Sequence, residues 1–194
     1  MVYSVKRLFK QNVFRNVQEF KAFKKKFGER GMAVADRYGK PAVELLSKHG
    51  EPVLNAISEY GKPALKPIRE HGKPAANAIH LYGFRALLAI RKHGKPAAEA
   101  ISEYGESALT PINKHGKPAV EAISKYGGPA FMLINDYGKP AAEAISEYGK
   151  PAIRAISRNG KFVFKAIATA ESQGLNVKAV LKSMSRKALK TRKK

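Results

Sequence analysis

Tyr148-Gly149-Lys150-Pro151-Ala152-Ile153-Arg154-Ala155-Ile156-Ser157-Arg158 is one copy of an eleven-residue unit that recurs through most of the chain. With the aromatic residue as position one, a Tyr-Gly or His-Gly pair returns at residues 38, 49, 60, 71, 82, 93, 104, 115, 126, 137 and 148. Phe27-Gly28 begins the series and Asn159-Gly160 continues it, so thirteen units lie between residues 27 and 169. Position nine is the most regular apolar site, held by Leu46, Ile57, Ile68, Ile79, Ile90, Ile101, Ile112, Ile123, Ile134, Ile145, Ile156 and Ile167. A fixed period of this kind marks units that bury a shared core only by stacking on their neighbours.

Within a unit the small or apolar positions are five, eight, nine and the next position one, as in Ala97, Ala100, Ile101 and Tyr104. These follow i, i+3, i+4 and i+7, one face of a helix. Pro at position four suits a first helical turn, and Gly at position two suits a left-handed residue after a helix end. Each unit is expected to be a short helix of about two turns, with Gly-Lys as the connection. A single continuous rod is excluded by magnitude. Nine units carry both Gly and the position-four Pro; at about 1 and 3 kcal/mol each, the interior residues would destabilise one long helix by roughly 36 kcal/mol. Strands are excluded by the Ala- and Glu-rich composition and the helical periodicity.

A second period overlies the first. Position one alternates Tyr38, His49, Tyr60, His71, Tyr82, His93, Tyr104 and His115. Position six alternates larger residues (Val43, Leu65, Leu87, Leu109, Phe131, Ile153) with mostly smaller ones (Ala76, Ala98, Val120, Ala142), Leu54 being an exception. The expected fold is therefore all-α, an α-solenoid of short helices from eleven-residue units paired into 22-residue repeats, with basic amphipathic helices at both ends. Pro67 and Pro111 fall at position eight of two units, where a later helix start or a kink would accommodate them. The chain divides on this reading into an N-terminal helix (1–26), the repeats (27–169) and a C-terminal helix and tail (170–194).

The runs His93-Gly94-Lys95-Pro96-Ala97 and Tyr137-Gly138-Lys139-Pro140-Ala141 resemble the tandem Tyr/His-Gly repeats of assorted bacterial and other proteins. The resemblance covers about residues 27–169. It implies a helical array and carries no functional residue across.

Charge is the strongest functional clue. The net is +22, and it is concentrated at the ends. Residues 1–37 hold 10 basic and 3 acidic side chains, residues 38–158 hold 17 and 11, and residues 159–194 hold 10 and 1. Cysteine is absent, which removes disulfides and thiol chemistry and suits a reducing compartment. No apolar run approaches the roughly 20 residues of a membrane span, and no secretory signal is evident.

At the N-terminus Val2, Val5, Phe9, Val13, Val17, Phe20, Phe23 and Phe27 recur at steps of three or four, describing a basic amphipathic helix, whole or broken once. This stripe can close the open end of the array, serve as an organelle-targeting presequence, or insert among acidic lipids. At the C-terminus Val177, Val180, Leu181, Met184 and Ala188 share a helical face. Residues 185–194 then carry six basic and no acidic side chains. Lys21, Lys24, Lys25, Lys26, Arg186, Lys187, Lys190, Arg192, Lys193 and Lys194 are the candidate polyanion-binding residues, acting by counterion release.

No constellation in the repeats reads as catalytic. The histidines recur 22 residues apart, roughly 10 Å or more at usual interhelix distances, so they would not share a metal ion. Their expected role is to replace Tyr as a ring at a helix C-terminus, where partial positive charge suits the dipole. His80 falls outside that row and is expected at the surface. Glu99/Glu103 and Glu143/Glu147 have near-identical surroundings, which would not split two pKa values for acid–base work; a solvated face alternating with Lys95, Lys117 and Lys139 is expected. The tyrosines sit on the apolar face, which favours packing over base stacking. Isolated glycines form no phosphate loop. The expectation is a non-enzymatic structural or scaffold component of a larger anionic assembly such as a ribonucleoprotein or virion, intracellular or inside a virion or organelle. It would have protein partners and nucleic acid on its basic ends, and no cofactor, metal or small-molecule substrate. The alternative is a peripheral protein on anionic membranes.

Overall fold

The computed structural model describes residues 4–186. The chain is all-α, with thirteen helices and no strand among the described residues. They are α1 (Val5–Lys10), α2 (Val17–Tyr38), α3 (Lys40–His49), α4 (Glu51–Tyr60), α5 (Lys62–His93), α6 (Lys95–Tyr104), α7 (Glu106–His115), α8 (Lys117–Tyr126), α9 (Gly128–Tyr137), α10 (Lys139–Tyr148), α11 (Lys150–Asn159), α12 (Phe162–Ser172) and α13 (Val177–Arg186). Two compact units are present, Met1–Ser102 and Glu103–Lys194.

Each repeat helix is longer than expected. It spans ten residues, nearly three turns at about 3.6 residues per turn, because the lysine at position three is already helical. Glycine alone makes the connection. Gly61 donates its N–H to the Ile57 carbonyl at 2.9 Å, and its own carbonyl accepts from Ala64 N–H at 3.1 Å, so one residue closes one helix and opens the next. Its dihedrals, φ 63 and ψ −141, are not those of the left-handed helix that the sequence suggested. They lie in a region open essentially to glycine, which explains why Asn, tolerated in the left-handed helix, never stands at position two. The same geometry recurs at Gly28, Gly72 and Gly83, which break α2 and α5 internally, so α5 comprises three repeat helices at residues 62–71, 73–82 and 84–93. Pro at position four falls in the first turn, where its missing N–H leaves no bond unmade.

Pro67 and Pro111 cause neither of the expected departures. Both are buried inside their helices, α7 begins at its usual place, and no non-helical dihedral accompanies either residue.

Packing is by nearest and next-nearest neighbours. In the first unit α2 packs on α3 and α4, and α3 on α4 and α5; in the second α8 packs on α9 and α10, and α9 on α10 and α11. That order is compatible with the expected solenoid. It also widens the buried face: positions five, six, eight and nine are buried in Ala97, Ala98, Ala100 and Ile101. Every position-nine Ile from Ile57 to Ile156 is completely inaccessible. The ring at position one reaches forward two repeats. Tyr38 lies over Gly61, Tyr104 over Gly127 and Tyr126 over Gly149, each hydroxyl occupying space that a side chain at the glycine would take, while His49 rests over Gly72 at ordinary contact distance. This contact between unit n and unit n+2 is the physical form of the 22-residue period.

Candidate functional site

The N-terminal stripe does not form one helix. Ser4 caps α1, its Oγ accepting from Arg7 N–H at 3.4 Å, and the chain turns between Gln11 and Asn16, with Asn12 at φ 52. Asn16 then caps α2, its Oδ1 accepting from Glu19 N–H at 2.8 Å while the Glu19 carboxylate accepts from Arg15 N–H at 2.7 Å. The turn lets α1 fold onto α2, where Arg7 pairs with Asp36 at 3.1 Å and donates to its carbonyl at 2.6 Å.

The apolar residues are divided by this fold. Val13, Phe23 and Phe27 are buried, Phe9 and Phe20 half-buried, and Val5 and Val17 exposed. Leu8 and Phe14, outside the expected stripe, are more deeply buried than any of it. Five phenylalanine rings, Phe9, Phe14, Phe20, Phe23 and Phe27, form one cluster of tilted and edge-on contacts with centroids 4.8 to 6.5 Å apart. With those rings inside, Lys21, Lys24, Lys25 and Lys26 are left on the exposed side of α2. Lys24 pairs with Glu29 at 3.2 Å, and Lys26 Nζ lies 5.2 Å from the Phe27 ring centroid.

At the other end α13 packs on α11 and α12 through buried Val177 and Leu181. The repeat register is modified to receive it. Asn159 stands where a ring would be, and its buried amide donates to Ala155 and Met184 carbonyls at 3.2 and 2.9 Å. Arg158 donates to the Arg186 carbonyl at 3.3 Å. Tyr148, whose forward partner would ordinarily be glycine, meets Glu171 and donates its hydroxyl proton at 2.8 Å. Burial first, and then the Glu171 and Glu147 carboxylates, hold that phenol far above its ordinary range. Arg186 is exposed; Lys187, Lys190, Arg192, Lys193 and Lys194 lie outside the described residues. The two basic groups belong to different units, Lys21–Lys26 to the first and Arg186 to the second.

Between the ends four repeat faces are compensated locally. Lys40–Glu44, Lys95–Glu99, Lys117–Glu121 and Lys139–Glu143 form exposed i,i+4 pairs at 4.0, 3.4, 3.7 and 3.5 Å. Such pairs contribute only about 0.3–0.5 kcal/mol each, but they leave little net field on those faces. The histidines occupy the same seats as the tyrosines. His49, His93 and His115 are held below the usual imidazole range, first by burial and then by neighbouring lysines: Lys48 and Lys73, Lys92, and Lys114 and Lys139 respectively. The positive ring expected from the helix dipole is thus disfavoured, because desolvation and like charge both oppose it. Met132, in the unit where the sequence pattern breaks, is 61% exposed, and Phe131 packs on Tyr104 at 5.5 Å between centroids.

One basic surface escaped the sequence reading. Lys62, Lys66 and Arg69 share a face of the helix at residues 62–71, inside the block whose average charge is low. The available signal was local. Position seven is Glu in Glu44, Glu99, Glu121 and Glu143, and position ten is Ser in Ser47, Ser58, Ser102, Ser124, Ser146 and Ser157.

No family model, curated protein or solved structure matches the chain. Among the described residues no helix is long and apolar enough to cross a membrane, and no three metal-ligating side chains cluster.

Proposed function

We propose that the protein is a non-enzymatic α-solenoid scaffold in a larger assembly, and that its basic ends contact nucleic acid. The observation that carries this reading is the contrast between the N-terminal end and the paired repeat faces: Lys40, Lys95, Lys117 and Lys139 are each matched by a glutamate four residues on, whereas Lys21, Lys24, Lys25 and Lys26 crowd one exposed stretch of α2 with Glu29 the paired acid. Lysines clustered in this way bind phosphates by releasing condensed counterions, with no requirement for base sequence. The phenylalanine cluster supports an end-closing role for the first two helices, since a terminal repeat needs its open apolar face covered. It also takes most of the stripe that a lipid surface would require, so the membrane alternative has less to act with.

The test is equilibrium binding of the full chain to labelled nucleic acid across a salt series. One variant carries Gln at Lys21, Lys24, Lys25 and Lys26, and a second carries Gln at Arg186, Lys187, Lys190, Arg192, Lys193 and Lys194. The expected result is salt-sensitive binding by the parent chain that weakens in each variant, with a slope against log salt that flattens by about 0.9 for each duplex phosphate no longer neutralised. Undiminished binding by both variants would refute the assignment to the ends.

A further inference from the structure

We infer that the helix at residues 62–71, with the furrows on either side of it, binds the sugar–phosphate backbone of single-stranded nucleic acid; this rests on the nucleic-acid reading above and gives it a specific surface. The chain's own repeats provide the standard of comparison. Positions three, seven and ten are Lys95, Glu99 and Ser102 in one unit and Lys139, Glu143 and Ser146 in another, with the Lys–Glu pair closed. At residues 62–71 the same positions hold Lys62, Lys66 and Arg69, so a compensated face has become a row of three cations. Lys66 reaches Glu70 at 3.9 Å. Among the described residues no carboxylate lies within ion-pair distance of Lys62, Arg69, Arg37 or Arg91.

The row is also concave on both sides. A furrow of about 430 Å³ separates this helix from α3 and is lined by Arg37, Lys62, Lys66 and Arg69. A second, of about 620 Å³, separates it from the helix at residues 84–93 and is lined by three cations, Lys62, Lys66 and Arg91, and one carboxylate, Glu70. Lys62 and Lys66 belong to both, so the two furrows form one continuous cationic surface.

Shape and neighbouring residues favour a strand over a duplex. With helices flanking it at interaxial distances of about 8–10 Å, the 62–71 helix does not project far enough to enter a DNA groove, while each furrow has room for one backbone. On the helix at residues 84–93, the position equivalent to Lys62 is Phe84, 57% exposed where the repeat ordinarily has lysine. Phe84 is thus an exposed ring on the helix whose Ile90 and Arg91 wall the second furrow; unpaired bases stack on such rings, and a duplex offers no unpaired base to it. A lipid surface would need a protruding apolar face, whereas the cations here line recesses.

The experiment uses the full chain, a labelled 12-nucleotide oligothymidylate, a 12-base-pair duplex, and vesicles containing phosphatidylserine. Lys66→Glu with Arg69→Ser restores the chain's own repeat pattern and so preserves the fold, which circular dichroism checks. Lys114→Glu with Lys125→Ser removes the same charge from exposed sites of the other unit. The first pair of substitutions is expected to weaken strand binding about ten-fold or more and to flatten the log–log salt slope by about 1.4, at about 0.7 for each of the two single-strand phosphates no longer neutralised; the control pair should change affinity much less. Phe84→Lys, also a return to the repeat pattern, should weaken strand binding about five-fold or more by removing the stacking ring, although it adds a positive charge. Equal weakening by the first pair and the control, equal weakening on strand and duplex, or binding to vesicles without binding to the strand would each overturn the inference. Weakening in the end variants with none in Lys66→Glu/Arg69→Ser would overturn it while leaving the wider function standing. Failure of the parent chain to bind any nucleic acid would remove both.

Discussion

Gly50 and Gly61 separate two reasons for glycine at position two. Their backbones are nearly the same, φ 76 and ψ −148 against φ 63 and ψ −141. A methyl group added at Gly50 would meet nothing within 4 Å, whereas at Gly61 it would lie 2.8 Å from the Tyr38 hydroxyl and 3.8 Å from the carbon that bears it. Gly50→Ala therefore costs only backbone strain, about 1–3 kcal/mol. Gly61→Ala costs that amount and, in addition, about 1–3 kcal/mol for displacing a packed ring. Tyr38→Phe deletes the obstructing oxygen and leaves the next atom at ordinary contact distance. In the Gly61→Ala background it should recover the second component, giving a coupling of about 1–3 kcal/mol in the double-mutant cycle. The same substitution should show no coupling to Gly50→Ala. Urea unfolding measures all six proteins, with an unchanged m value as the condition for comparison. Equal destabilisation by the two alanines, or a Gly61–Tyr38 cycle that closes to zero, would refute the ring-on-glycine contact as the link between unit n and unit n+2.

Acid should weaken the fold. His49, His93 and His115 have lower pKa values folded than the ordinary 6.5 of the unfolded chain, so between those values the unfolded state binds more protons and stability rises with pH. Stability is thus complete above about pH 6.5 and falls as pH drops through the folded values; thermal melts across this range should show the decline, and replacing all three with Tyr should flatten it. Asn159→Ala should cost about 1–3 kcal/mol by orphaning the Met184 carbonyl and its neighbours, with faster hydrogen exchange confined to residues 177–186 as its signature. Ile123→Ala, at a completely inaccessible position-nine site, should cost about 2–5 kcal/mol in chemical unfolding. Lys139→Ala, at an exposed Lys139–Glu143 pair, should cost under about 0.5 kcal/mol, and a larger cost would mean that these pairs do more than balance charge.

The repeats were legible because each strong signal had one physical reading. Position-nine Ile had to be buried, position-four Pro had to begin a helix, and a period of eleven joined them. The details that escaped depend on tertiary contact. Glycine at position two announces a positive φ but not its ψ, which is fixed by the need for one residue to cap two helices. The n to n+2 seat of Tyr38 on Gly61 lies 23 residues along the chain and leaves only the 22-residue alternation as its trace. At the N-terminus, Phe9 and Val13 keep a four-residue spacing across a turn that interrupts the helix, so periodicity left a single break open without placing it, and Leu8 and Phe14 fell outside the stripe. The candidate ends were visible as charge. Lys66 and Arg69 were not, because summing over the repeat block averages them with Glu99, Glu121 and Glu143; comparing units position by position recovers them.

The most direct measurement is the affinity of the full, unmodified chain for a short single strand as salt is raised. Contact through about six phosphates or more makes log affinity fall against log salt with a slope of about −4 or steeper. A flat dependence, or no binding at low salt, would contradict a nucleic-acid-gripping scaffold.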